Sequence, residues 1–175
     1  MPLDPQQVEL HGTNWLISEL VEAGLEVATP VRDKGVDLLA CVPDYSWTQP
    51  LQVKTSRDRC ITVQQKYVGT PVLLAFTLLG SSRAPLPRDV GGVFINQGAD
   101  YSPRLLLLTP AEAWALPTVS GKIDADPVNN SDHRLSWTSL VRNGHLPENA
   151  AVTYRGELLA ALSAARDRLR AEGTA

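Results

Sequence analysis

Two stretches decide the reading of this chain: Gly35-Val36-Asp37-Leu38-Leu39-Ala40 and Leu51-Gln52-Val53-Lys54-Thr55-Ser56. Each is an apolar run of strand length interrupted by polar residues at fixed places. Successive side chains of a strand point to opposite faces, so Gln52 and Lys54 share one face of theirs. Asp37 stands at the start of the other. Each residue has an ordinary use. Asp37 could be a strand-end acid capping a turn, Gln52 a buried amide satisfied by backbone, and Lys54 a surface lysine. Their alignment at the ends of adjacent strands points instead to a shared site. A carboxylate and an amide oxygen are the hard donors that Mg²⁺ takes, with water and phosphate completing the shell. A lysine beside them can orient or activate water and offset phosphate charge.

Outward from this pair, the chain reads as alternating elements. Asp4-Pro5-Gln6-Gln7 has the cap, first-turn proline and capping-box spacing of a helix start. Leu10, Ile17, Leu20 and Val21 then recur at helical spacing, and Gly24 can close the helix, which predicts a helix over residues 5–23. Strands are expected over 25–31, 36–42 and 51–55. Turn signals separate them at Arg32-Asp33-Lys34-Gly35 and at Pro43-Asp44 and Thr48-Gln49-Pro50. Residues 62–68 read as a short exposed helix that carries Gln64, Gln65 and Tyr67. The apolar run 72–79 reads as a buried central strand. Residues 80–92 read as an exposed loop, and 93–96 and 104–108 as further strands. A short helix starts at Thr109-Pro110-Ala111-Glu112, a long polar loop spans 117–134, and a helix covers 154–170.

Composition sets bounds. The 175 residues are 43% hydrophobic and 20% charged, the profile of one globular domain, residues 1–175. Net charge is −3, so any grip on phosphate must come from a local patch. Residues 1–31 hold five acids and no lysine or arginine, whereas residues 32–66 hold six bases, Arg32, Lys34, Lys54, Arg57, Arg59 and Lys66, against four acids, so positive charge concentrates around one segment, either as such a patch or as a solvated mixed surface. Two cysteines, Cys41 and Cys60, are too few for a disulfide framework. With no leader or long apolar run read in the sequence, a cytoplasmic protein without a membrane partner is expected. The three histidines lack metal-ligand spacing, and no phosphate-binding loop is present.

The order of helix, Gly-Leu-Glu-Val strand, Gly-Val-Asp-Leu and Leu-Gln-Val-Lys-Thr-Ser resembles the PD-(D/E)XK nuclease superfamily, in the branch whose third catalytic element reads Gln-X-Lys. The resemblance covers roughly residues 8–80. It implies an α/β, restriction-endonuclease-like αβββαβ core over 1–80, a mixed sheet flanked by helices, with additional strands, loops and a C-terminal helix in 81–175. It further implies a divalent-metal-dependent nuclease, a DNA endonuclease in the first instance, with Mg²⁺ or Mn²⁺ as cofactor. Asp37, Gln52 and Lys54 would be catalytic, with the metal on Asp37 and Gln52. Lys34, Arg57 and Arg59 would contact nucleic-acid phosphates. Assembly as a homodimer stays open. Related sequences often carry a Glu directly after a Gly in the first helix. Here Gly12 precedes Thr13, and Glu9, one turn earlier, is the candidate substitute ligand. The alternative is a degenerate nuclease fold that binds nucleic acid or a protein without cutting.

Overall fold

A computed structural model describes residues 4–32, 34–57, 60–79, 104–118, 132–136, 151–152 and 157–173. Helix α1, Pro5–Glu22, begins as its sequence dictates. The Asp4 side chain accepts the Gln7 N–H at 2.8 Å, and the Gln7 side chain accepts the Asp4 N–H at 3.0 Å. It ends at Gly24, whose φ of 86° is the left-handed conformation that glycine adopts without a Cβ penalty.

Strands β1 (Glu26–Ala28), β2 (Leu38–Cys41) and β3 (Thr48–Ser56) form an antiparallel meander. The chain then crosses over and returns as β5 (Leu73–Leu78), parallel to β3. Strands β6 (Arg104–Leu108) and β8 (Ala151–Val152) add antiparallel beyond β5. The mixed sheet is ordered β1-β2-β3-β5-β6-β8. Every residue of β5 is buried, Thr77 included, because both faces of this central strand are covered.

One face carries α1 and the C-terminal helix α3, Leu158–Gly173. Leu16 and Leu20 of α1 and Leu158 and Leu162 of α3 meet Leu51, Val53, Leu73 and Leu105 there. Full burial of each such leucine contributes about 1.5–3 kcal/mol. The other face is covered by β4 (Cys60–Gln64), β7 (Asp132–Ser136), which pairs antiparallel with β4, and helix α2, Pro110–Ala115. Helix α2 opens with its own capping box between Thr109 and Glu112. No helix among the described residues is long and apolar enough to cross a membrane.

The structure corrects the sequence reading in three places, the first being that Thr48, Gln49 and Pro50, expected in a turn, pair with β2 as the start of β3. The helix expected over 62–68 is the strand β4 followed by one 3-10 turn, Gln65–Tyr67. Ile61 and Val63 are buried and Thr62 between them is exposed, a period of two that β-branched residues favour. The partner of β4 lies at the end of the polar stretch expected to be loop. The α/β class with a mixed sheet and flanking helices stands, but the crossover from β3 to β5 contains a strand and a turn where a helix was expected. The expected strand 93–96 and loop 80–92 lie outside the described residues.

Candidate functional site

The site begins where two strands part. Leu38 and Leu51 are the last paired residues of β2 and β3, and the Asp37 N–H still reaches the Leu51 carbonyl at 2.9 Å. Beyond that point β2 no longer runs beside β3. The Asp37 carboxylate takes its place and accepts the Val53 N–H at 2.7 Å. Asp37 thus does what a strand-end acid does, satisfying a backbone donor that would otherwise lose its partner.

The same carboxylate oxygen accepts the Gln52 amide nitrogen, which also points at the Val53 carbonyl, 3.3 Å away. The Gln52 oxygen accepts the Tyr67 hydroxyl at 2.7 Å. Gln52 is 5% exposed and Tyr67 4%, so this is a buried polar chain, Tyr67 to Gln52 to Asp37, running out to the parting strands. A buried amide of this kind is retained at low energetic cost only if both its ends are satisfied, and here both are. Gly35 turns the chain into β2 with φ 81°, and its missing side chain makes room for Tyr67: a Cβ there would lie 2.9 Å from Tyr67 Cε1.

Cations gather around that ring. The Lys54 Nζ lies 5.7 Å from the Tyr67 ring centroid and the Lys66 Nζ 5.0 Å, both within cation–π range. Lys34 is exposed beside Gly35. Lys54 is half-buried on the same face of β3 as Gln52, as strand alternation requires. The structure therefore joins Asp37 and Gln52 by a hydrogen bond, sets Lys54 on the same strand face near the Tyr67 ring, and adds Tyr67 and Lys66, which the sequence reading had assigned to an exposed helix. The usable signal for Tyr67 was Gln52 itself, because a buried amide demands a donor from elsewhere in the fold.

Other expected members stand apart. Glu9 is exposed on α1, and Thr13 is half-buried. Arg57 is half-buried just past the end of β3, and Arg59 lies outside the described residues. Among the described residues, no group of three or more His, Cys, Asp or Glu side chains converges. A cation at this site would have to take one carboxylate, from Asp37, with the Gln52 amide and Val53 carbonyl oxygens as neutral donors. That all-oxygen set suits a hard divalent ion that keeps several waters.

No protein-family model matches the chain, and no curated protein matches it in sequence.

Proposed function

We propose that this chain is a divalent-cation-dependent nuclease of the PD-(D/E)XK type in its Gln-X-Lys form, hydrolysing phosphodiester bonds in DNA. The observation that carries the reading is the direct contact of Asp37 with Gln52 on the face of β3 that also bears Lys54. A 180° rotation of the Gln52 amide exchanges its nitrogen and oxygen. The oxygen then faces Asp37, and the nitrogen faces the Tyr67 oxygen, which can accept it. Tyr67 can therefore hold Gln52 in either orientation, as donor or as acceptor. Asp37 and the turned Gln52 would hold Mg²⁺ or Mn²⁺, which when bound supplies charge for the phosphate and the leaving oxygen. Lys54 places an ammonium beside them, where it orients the attacking water and offsets the charge that develops on the phosphate. Lys34 and Lys66 extend the positive surface along which flanking phosphates would lie.

Supercoiled plasmid incubated with Mg²⁺ or Mn²⁺ tests this. Wild-type protein is expected to nick it. Lys54→Ala is expected to keep its circular-dichroism spectrum and lose cutting, because losing a group that acts in the transition state lowers the chemical rate more than binding. Cutting at the wild-type rate by Lys54→Ala would place catalysis elsewhere.

The exposed Glu9 and the uncharged Thr13 favour a second reading, a nuclease fold that binds nucleic acid without cutting. It predicts a DNA mobility shift that weakens steeply with salt and no cleavage with either metal.

A further inference from the structure

A cavity lies at the start of β3. It opens between the first residues of β3, the Val68–Pro71 connection into β5, and the last turns of α3, and encloses about 590 Å³. Small-molecule sites generally enclose about 300–1,000 Å³ and are mainly apolar, with a few placed polar groups. Pro50, Val68, Pro71 and Leu169 give this one apolar walls. Gln49, 3% exposed, holds two of its sides together by donating to the Pro50 carbonyl at 3.0 Å and the Pro71 carbonyl at 2.9 Å. The walls on either side are therefore tied across the strand ends before any ligand arrives.

Charge in the lining is unbalanced. Arg166 and Arg170, one turn apart on α3, both reach it. Arg166 is half-buried, and its guanidinium carbon lies 4.8 Å from the centroid of the Trp47 ring. Among the described residues no carboxylate forms an ion pair with Arg166. Burial, and then repulsion from Arg170, lower its pKa from the ordinary guanidinium value, although it stays charged at any physiological pH. The carboxylate in the lining, Glu172, accepts the Thr109 hydroxyl. Arg170 pairs at 4.0 Å with Asp167, both side chains largely exposed. A guanidinium held over an indole keeps its N–H donors available for the paired hydrogen bonds by which arginine recognises a carboxylate or phosphate.

We propose that this cavity binds an organic anion, its carboxylate or phosphate head on Arg166 with Arg170 adding field, and its apolar body against Pro50, Pro71 and Leu169. The assignment is independent of the nuclease reading, since the cavity lining includes none of Asp37, Gln52, Lys54 and Tyr67.

The probe is 8-anilinonaphthalene-1-sulfonate, an aromatic anion whose fluorescence rises in apolar surroundings. Titration of the full chain is expected to saturate at one equivalent, and octanoate or octyl phosphate should displace it. The stronger of the two identifies the preferred head. Arg166→Gln is expected to weaken binding roughly tenfold or more, the scale of one lost charge-assisted hydrogen bond. Val68→Trp, at an exposed position on the rim, should obstruct the mouth and weaken binding without disturbing the core. Octanol displacing as well as octanoate would overturn the anion assignment. Inorganic phosphate displacing as well as octyl phosphate would overturn the apolar half. Unchanged binding in both variants, or no saturable site, would overturn the whole.

Discussion

Gly12→Ala probes the contact that seats α1 on the sheet beneath the candidate site. In an exposed helix interior this change stabilises by about 1 kcal/mol, since alanine is the best helix former and glycine among the worst. Gly12 is not exposed. A Cβ built there would lie 2.0 Å from Thr55 Oγ1, 2.5 Å from its Cγ2 and 2.8 Å from its Cβ. Unstrained carbon contacts need about 3.5–4.0 Å. The helix would have to lift by 1 Å or more, against Leu16 and Leu20, which are locked into the same face at 0% and 1% exposure. Overpacking of this kind costs about 1–3 kcal/mol, and the β-branched Thr55 side chain, stiff at χ1, cannot swing aside as a long flexible one could. Taking the upper end and subtracting the helix gain leaves a net loss of about 2 kcal/mol. At a urea slope near 2 kcal/mol/M this is a midpoint lowered by about 1 M, read by far-ultraviolet circular dichroism. Thr55→Ala removes the two closest atoms. Alone it should be near neutral, because Thr55 Oγ1 is buried with no hydrogen-bond partner among the described residues. In the double variant it should recover at least about 1 kcal/mol of the loss as coupling. A Gly12→Ala protein as stable as the wild type, or additive effects in the cycle, would refute the close approach of α1 to β3.

Three further outcomes are expected. Tyr67→Phe removes the 2.7 Å bond to the Gln52 oxygen and should lower stability by about 1–3 kcal/mol in the same urea assay, together with any nuclease rate; an unchanged midpoint would mean that Gln52 finds its donor elsewhere. Thr13→Glu should tighten Mn²⁺ or Mg²⁺ binding measured by calorimetry by supplying a second carboxylate, whereas Glu9→Ala, at an exposed position, should leave it unchanged; the reverse pattern would show that Glu9 is the ligand. The Ser46 N–H, 3.0 Å from the Asp44 carboxylate, together with the Ser46 hydroxyl, holds the Asp44 pKa below 3.8. A group depressed on folding binds fewer protons in the native state, so its contribution is present above the unfolded pKa of about 3.9 and is lost as pH falls through the folded value. An NMR titration should show that low midpoint in the wild type and only a partial rise in Ser46→Ala, which keeps the backbone donor.

What the sequence determined by itself is whatever local chemistry controls. The capping box at Asp4 and Gln7, the stop at Gly24, the second box at Thr109 and Glu112, and the apolar run of β5, broken only by Thr77, act within a turn or two of chain, and all appear where the residues predict. The alternation that puts Gln52 and Lys54 on one face is equally local, and so was legible. Pairing across the chain was not. Strand β4 was mistaken for a helix because its partner β7 lies about seventy residues away, in a polar stretch whose strand character depends on burial against that partner. Tyr67 was missed for the same reason. Nothing within a few residues of it shows that its ring fills the space left by Gly35 or that its hydroxyl meets a buried amide fifteen residues earlier. The parting of β2 from β3, which turns Asp37 from a turn-capping acid into the partner of Gln52, is likewise a property of the sheet. Only the tertiary structure decides which polar groups are left facing one another once the strands have separated.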